Sequence, residues 1–325
     1  MKPLRVGVIG AGGHARLHFD MFAKEPEIEL AAIAELDPER LERALETHGA
    51  EKGYGDYREM LDSCELDIVE VLTMPAHLTP IVVECLERGF HTVIEKPVGM
   101  SSADAETMLE ASKGCSGLHM VSVNRRYVPE VLATKRLVLE RGGTVQVAAV
   151  YNKPVTTIGT SKLPVTPVPI ICDAIHHVDL IRWMSGPSME TAAVPTYVYA
   201  DAWSGEREGS FRYNAIIGMD TGGRGTMMSH YGVGGRIQRA EVHGEDFSAY
   251  LDLSAEPKVE LYVDNALVEE PLDVEAVGGA EYNETRHFVD CIRQGTKPWS
   301  TLDDLVITTR LSEAIAGGTK GEVQA

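Results

Sequence analysis

The sequence predicts two domains: an N-terminal α/β domain built on a doubly wound parallel sheet, and a C-terminal α+β domain with an open, mainly antiparallel sheet. Three observations predict this class. A glycine-rich strand–turn–helix pattern opens the chain, strand and helix patterns alternate up to about residue 122, and long strand-like segments follow from Thr144. A chain of 325 residues is long enough for two hydrophobic cores. The predicted division lies between residues 1–123 and 124–325.

The glycine-rich turn follows a short apolar strand and leads into a helical pattern. Gly10 permits a tight turn, and Gly12 lets the backbone approach a pyrophosphate because no Cβ stands in the way. Ala15 takes the place of a third glycine and is small enough for close packing of the helix on the strand. The N–H groups and dipole of that helix favour phosphates. The pattern predicts a Rossmann domain that binds a dinucleotide, with Gly13 and His14 also in the turn at the cofactor.

The second predicted strand ends at Glu35, close to the spacing of roughly 20 residues expected for an acceptor of the ribose hydroxyls. A carboxylate there accepts hydrogen bonds from the adenosine ribose and repels a 2′-phosphate. No Arg or Lys occurs between Leu36 and Glu39, so NAD is predicted rather than NADP. The alternative for Glu35 is a solvated strand end. Asp37 is predicted to cap the helix that Pro38 begins.

Composition excludes several classes of partner. Thirty basic and 49 acidic residues give a net charge of −19, which argues against nucleic acid and anionic membranes as partners. No apolar run approaches the length of a membrane span, and His14 and Arg16 interrupt the apolar start, so a secretory signal is not expected. The five cysteines have no metal-like spacing, so no metal site is expected. Their odd number indicates a reducing cytoplasm.

The remaining elements are predicted from periodicity. In the first domain they are strands at 67–72, 91–94 and 118–123 and helices at 78–88 and 102–112, the latter capped by Ser102. In the second domain they are one helix around 173–184 and strands at 145–151, 191–200, 211–219, 225–231, 240–252 and 259–264. Repeated strand–helix units require right-handed crossovers and hence a parallel sheet in the first domain.

Four segments carry a family resemblance beyond the glycine turn. Glu95-Lys96-Pro97 closes the fifth predicted strand. The others are 124–129 (Asn-Arg-Arg-Tyr-Val-Pro), 173–186 at the helix of the second domain, and 282–292 near the end. In this order they resemble the Gfo/Idh/MocA oxidoreductase family over nearly the whole chain.

The resemblance implies an NAD(P)-linked oxidation or reduction at a secondary carbinol of a sugar, cyclitol or related polyol. Residues 1–123 would then bind NAD, and residues 124–325 would bind the substrate and form a homodimer or homotetramer. Lys96 is implied to lie beside the nicotinamide and His176 to act as acid and base. Hydride transfer needs a base for the hydroxyl proton, and a lysine can stabilise the negative charge developing on the oxygen.

The sequence departs from the family at the catalytic helix. Members similar to inositol dehydrogenase have an aspartate four residues before the histidine, but here that position is Cys172 and Asp173 follows it. On one continuous helix Asp173 and His176 would be neighbours at i and i+3, and Asp173 is predicted to orient the imidazole or relay its proton. Asp173 and His177 stand at i and i+4, so His177 is the alternative acid/base.

Further site residues are predicted. The cofactor set comprises Gly10, Gly12, Gly13, His14, Ala15, Glu35, Thr73, Glu95 and Lys96. The substrate set comprises Arg125, Tyr127, His177 and Tyr282, although Arg125 and Tyr127 are equally compatible with a polar crossover between domains. The Lys96–Pro97 bond is expected to be cis. Substrate preference is expected to depend on the loops at 156–169 and 231–239.

Two other functions fit the same fold. One is an NAD-dependent glycosidase that oxidises its sugar transiently and regenerates the cofactor. The other is a non-catalytic regulator that binds sugar or NAD. The presence of Lys96, Asp173 and His176 argues against the regulator. The identity of the polyol and the physiological direction of the reaction are not predicted by any motif.

Overall fold

A computed structural model of the protein describes residues 2–154, 168–270 and 272–323. The chain divides into two compact units. The first comprises residues 2–122 and 283–303, and the second comprises the described residues of 123–282 and 304–323. The division predicted from sequence differs at one place, because 283–303 was assigned to the second domain. Most of the predicted loop at 156–169 lies outside the described residues.

The first unit contains six parallel strands in the order β3-β2-β1-β4-β5-β6. The strands are β1 (Leu4–Ile9), β2 (Ile28–Ala34), β3 (Lys52–Tyr54), β4 (Ile68–Val71), β5 (His91–Glu95) and β6 (His119–Ser122). The helices between them are α1 (Ala15–Phe22), α2 (Pro38–His48), α3 (Tyr57–Ser63), α4 (Pro75–Glu87) and α5 (Ser102–Ser112). The predicted doubly wound sheet is confirmed.

The caps of two of these helices follow from short polar side chains. Asp37 accepts hydrogen bonds from the backbone N–H groups of Glu39 and Arg40, which confirms its predicted role as the cap of α2. The prediction for α5 was wrong by one residue: Ser101, not Ser102, caps it, with its Oγ accepting from the N–H of Asp104.

The second unit contains nine strands in the order β14-β13-β12-β11-β7-β10-β9-β8-β15. The strands are β7 (Gln146–Asn152), β8 (Pro195–Ser204), β9 (Phe211–Met219), β10 (Arg224–His230), β11 (Ile237–His243), β12 (Phe247–Asp252), β13 (Lys258–Val263), β14 (Ala266–Val268) and β15 (Lys320–Glu322). Among the described strands of this unit only β7 and β10 pair in parallel, so the prediction of a mainly antiparallel sheet is confirmed. The predicted strand at 240–252 is instead a hairpin, because the polar Gly-Glu-Asp run at 244–246 turns the chain between β11 and β12.

Five α-helices lie in the remainder of the described residues. They are α6 (Pro129–Glu140), α7 (Pro169–Cys172), α8 (Ile175–Met184), α9 (Glu284–Gln294) and α10 (Leu302–Ala316). Of these, only α8 was predicted from the sequence. Every residue of α8 is buried, including its charged ones. Helix α9 belongs to the first unit because its apolar side is buried there, with the ring of Phe288 packed edge-on against His91.

Candidate active site

The glycine turn of the first unit has the geometry that a phosphate requires. Gly10 has a φ of +99°, and a Cβ at this position would lie 2.9 Å from the carbonyl oxygen of Leu72, so no side chain fits there. A Cβ at Gly12 or Gly13 would meet nothing within 4 Å, which leaves that side of the turn open. Ala15 is buried and begins α1. The turn thus leaves backbone N–H groups accessible at a helix N-terminus.

Glu35 links the end of β2 to this turn. One carboxylate oxygen accepts a hydrogen bond from the N–H of Ala11 at 2.8 Å, and the other accepts from the N–H of Asp37 at 3.0 Å. Arg40, in the first turn of α2, places its Nη1 4.0 Å from Glu35 and its Nη2 3.2 Å from Asp37. The sequence spacing had suggested that no basic group lies near Glu35, but one helical turn is enough to bring Arg40 back to it.

The position and hydrogen bonding of Thr73 indicate whether a dinucleotide fits this turn. Its backbone N would lie 3.3 Å from a Cβ at Gly10, so it adjoins the turn directly. Its Oγ1 is buried and has no hydrogen-bond partner among the described residues. Buried hydroxyls are normally hydrogen-bonded, so an unmatched one beside an open phosphate turn fits a bound ligand. Thr73, the glycines and Glu35 therefore fit the predicted dinucleotide.

Lys96 follows β5, and the Lys96–Pro97 bond is cis, as predicted. The Nζ of Lys96 lies 3.9 Å from the carboxylate of Glu95. This carboxylate is buried and also lies 3.3 Å from His14 and 3.4 Å from His18. Burial favours the neutral form of Glu95, but the neighbouring His18 and the charge of Lys96 lower its pKa. Lys96 is consequently accompanied by a buried carboxylate that remains ionised.

Behind Glu95 lies a buried cluster that the sequence analysis missed. His18 Nδ1 is 3.0 Å from Glu70, and Ser122 donates a 2.9 Å hydrogen bond to Glu284. Burial opposes the charge of His18, yet the carboxylate of Glu70 raises its pKa well above the ordinary value. Burial raises the pKa of Glu284 to about 7. One signal was available: Glu70 interrupts the apolar strand β4, and strands of buried parallel sheets are normally apolar throughout.

Asp173 is the centre of a second polar group, in the second unit. Its carboxylate accepts hydrogen bonds from the hydroxyl of Tyr151 at 2.9 Å, the Nζ of Lys153 at 2.7 Å and the hydroxyl of Tyr231 at 3.1 Å. The prediction that Asp173 lies on one continuous helix with His176 was wrong. Asp173 lies in the break between α7 and α8, where three donors from other segments hold its carboxylate.

The two candidate histidines differ in their surroundings. The side chain of His177 is 0% exposed, its ring packs edge-on against Tyr151, and neither ring nitrogen has a hydrogen-bond partner among the described residues. Burial lowers the pKa of His177 to about 3, and the charge of Arg125 acts in the same direction. An imidazole this hard to protonate is a poor base near neutral pH, which counts against His177. His176 is 8% exposed and stays the predicted acid and base.

The chain is similar in sequence to an oxidoreductase family and to named dehydrogenases. Residues 4–123 match the sequence model of an oxidoreductase family, GFO_IDH_MocA, described by its NAD-binding Rossmann fold. The chain is 26% identical over 268 residues to a protein of Thermotoga maritima named myo-inositol 2-dehydrogenase, covering 79% of this chain and 78% of the relative. It is 24% identical over 339 residues to a D-apiose dehydrogenase of Paraburkholderia graminis, covering 97% and 87% of the two chains.

Residues 4–123 thus match the NAD-binding domain of the Gfo/Idh/MocA oxidoreductase family. A solved structure named levoglucosan dehydrogenase, complex with NADH, superposes with a TM-score of 0.86 and covers 99% of this chain and all of the other. At 19% identity this likeness establishes the fold. The predicted resemblance is thus confirmed, and the glycine turn, Thr73 and Glu35 lie in the part of the chain that matches the NAD-binding fold.

Arg125, Tyr127 and Tyr282, three of the predicted substrate residues, lie in different surroundings. Arg125 donates a hydrogen bond to the side chain of Gln238, and Tyr127 is almost fully buried. Tyr282 is half-buried, with its ring against Gly278. The roles of these residues towards a substrate stay predictions.

Tyr151, Lys153 and Tyr231 were not predicted. Lys153 follows the last residue of β7, as Lys96 follows β5, and that shared position was the available signal.

The described residues contain neither a candidate membrane span nor a candidate metal site. No helix there is long and apolar enough to cross a membrane. No group of three or more His, Cys, Asp or Glu side chains there is arranged to hold a metal ion.

Proposed function

We propose that this protein is an NAD-dependent dehydrogenase that transfers a hydride between the nicotinamide and a secondary hydroxyl of a sugar, cyclitol or related polyol. Its relatives carry the names of inositol and apiose dehydrogenases, and a solved structure of the same fold is a levoglucosan dehydrogenase in complex with NADH. The observation that carries the proposal is Lys96 beside the ionised Glu95. They lie at the carboxyl end of a parallel strand, where cofactors of such sheets bind.

Each catalytic side chain has a separate role in the proposed reaction. Bound NAD supplies the hydride acceptor for oxidation. His176 takes the proton of the substrate hydroxyl as general base, and Asp173 orients the imidazole or relays its proton. The ammonium of Lys96 holds the same oxygen and stabilises the negative charge that develops on it. Glu95, which lies between His14, His18 and the Nζ of Lys96, acts as the positioning partner of Lys96 within the first unit.

Absorbance of reduced nicotinamide tests this function directly. Incubation with NAD and a panel of polyols and sugars is expected to give stoichiometric NADH with at least one of them. An NAD-dependent glycosidase would release product without net NADH, so product without NADH would exclude the dehydrogenase. A regulator would bind NAD or sugar and give neither.

Replacing Glu35 by serine is expected to narrow the preference for NAD over NADP. The native protein should bind NAD more tightly, because the carboxylate accepts from the ribose and repels a 2′-phosphate. A hydrogen bond to a charged group contributes about 1.5–3 kcal/mol, so the variant should lose roughly 10- to 150-fold in NAD affinity. Titration calorimetry with both cofactors measures the change.

Glu35 also accepts from the N–H groups of Ala11 and Asp37, so a matched variant is needed. Glu35→Gln keeps one of the two backbone acceptors and removes the charge, so it should relax the discrimination while loosening the turn less than serine does. Equal affinity of the native protein for NAD and NADP would contradict the assignment of Glu35.

The protein is further proposed to be a cytoplasmic homodimer or homotetramer. One face of the nine-stranded sheet exposes large apolar side chains on adjacent strands, among them Tyr199 (56% exposed) and Ile216 (53%), which are directly paired between β8 and β9. A contiguous apolar face of this kind is normally covered by a partner. All five cysteines are unpaired, which supports a reducing compartment.

Light scattering tests the assembly. The native protein at micromolar concentration is expected to have the mass of a dimer or tetramer, and Ile216→Asp should lower that mass by placing a charge in the buried interface. Leu17→Asp is the control, since Leu17 is similarly exposed (49%) but lies on α1 of the first unit. A native monomer would contradict the proposed use of the sheet face.

A further inference from the structure

Two adjacent arginines of the second unit have opposite surroundings. Arg126 is fully buried and contacts two carboxylates, those of Asp179 and Asp304. Arg125 contacts only the neutral amide of Gln238. Its Nε is buried without a hydrogen-bond partner, and no carboxylate of the described residues lies within 4.0 Å of its guanidinium. Arg126 therefore forms a structural ion pair, whereas Arg125 is a partly buried cation with no carboxylate at ion-pair distance among the described residues.

The neighbours of Arg125 act on its charge in both directions. Burial lowers the pKa of Arg125 and the positive charge of Arg236 lowers it further, whereas Tyr151 and Asp173 raise it. Asp173 is the nearby carboxylate, but it is already engaged by Lys153 at 2.7 Å and by the hydroxyls of two tyrosines. Asp173 is thus paired with Lys153, and Arg125 and Arg236 are two further cations in this unit of a chain whose net charge is −19.

An anionic ligand would pair with the charge of Arg125 and give its buried Nε a hydrogen-bond acceptor. A buried charge is expensive unless it is paired, and buried donors without partners are rare in native proteins. The planar guanidinium presents its N–H groups as a fork that matches a carboxylate in a bidentate arrangement. A neutral hydroxyl could accept from Nε but would leave the repulsion between Arg125 and Arg236 in place.

We propose that the substrate of this protein is a sugar or polyol that carries a carboxylate, held by Arg125 with support from Arg236. This inference rests on the proposed dehydrogenase function and narrows its substrate class. The carboxylate serves recognition and orientation, while His176 and Lys96 act on a hydroxyl elsewhere in the same molecule. No bond to the carboxylate forms or breaks.

Matched pairs of compounds test the charge. Initial rates of NAD reduction are measured with D-galacturonate against D-galactose, D-gluconate against D-glucitol, and glucose 6-phosphate against glucose. At least one carboxylated compound is expected to exceed its neutral partner in kcat/KM by about tenfold or more, since hydrogen bonds to charged groups are the stronger ones. Its KM should rise with ionic strength, because salt screens the attraction.

Variants assign the effect to Arg125. Arg125→Gln is expected to lower kcat/KM for the carboxylated compound by roughly 10- to 150-fold, and by at least about ten times less for the neutral partner. Arg125→Lys keeps the charge without the fork and should lie between the two. Arg239→Gln, which removes an exposed arginine paired with Asp252 in the same unit, is the control. Thermal unfolding of each variant shows whether it is folded.

Binding measurements separate this inference from the proposed function. Calorimetry of NAD, and of each acid with the NADH-saturated protein, needs no turnover. If NAD binds and the acids are neither bound nor oxidised in preference to their neutral partners, the carboxylate proposal is overturned and the dehydrogenase proposal stands. A preference for glucose 6-phosphate over every carboxylate also overturns it. If NAD does not bind, the dehydrogenase proposal itself fails.

Discussion

Replacing His176 by alanine is expected to lower kcat by a factor of about 10²–10⁴, the range typical for loss of a general base. Without the imidazole, the hydroxyl proton has no positioned acceptor as the hydride departs. NAD affinity should change little, because the glycine turn, Thr73 and Glu35 all belong to the first unit, whereas His176 belongs to the second. Steady-state rates and NAD titrations on the same preparations measure both quantities.

His177→Ala is the matched comparison. His177 is fully buried against Tyr151, and its pKa of about 3 keeps it neutral, so its removal should reduce stability more than the rate of folded enzyme. A crippling effect of His177→Ala on kcat, with a native-like unfolding temperature, would make Asp173 and His177 the working pair. If neither substitution changes kcat, the dehydrogenase proposal fails and a binding role gains support.

The first unit could be predicted from sequence because local patterns determine most of it. The glycine turn, the cap at Asp37 and the alternation of strands and helices each depend on residues close together in the chain. The return of 283–303 to the first unit could not be predicted in this way. It depends on which apolar surface covers the buried side of α9, and tertiary packing rather than local sequence determines that surface.

The candidate site shows the same distinction between local and distant determinants. Lys96 and Glu35 were identified by motif and spacing, and both lie at strand ends in the structure. The break at Asp173 was missed, because it is held by Tyr151 and Tyr231, which are distant in sequence. The sequence gives Arg125 and Arg126 the same chemistry and adjacent positions, and only their partners distinguish an ion pair from a candidate binding group.

Replacing Lys96 by methionine is the second substitution with a large expected effect. Methionine retains much of the length of the side chain but removes the cation that would stabilise charge on the substrate oxygen. Loss of one such electrostatic group typically costs about 10²–10³ in kcat. The Lys96→Met protein should therefore retain NAD binding within a few fold and lose most of its turnover, as measured by rapid mixing at saturating NAD.

Two further variants of the first unit are needed to interpret the Lys96→Met result. Lys113→Met removes a lysine of the first unit whose side chain is 64% exposed and should leave kcat unchanged. Glu95→Gln keeps the shape of the buried partner but removes its charge, and it should lower kcat without abolishing it, because Lys96 then loses the carboxylate that lies 3.9 Å from its Nζ. If Lys96→Met turns over normally while His176→Ala does not, then the proton acceptor alone supports the reaction. In that case Lys96 has a structural role beside Glu95.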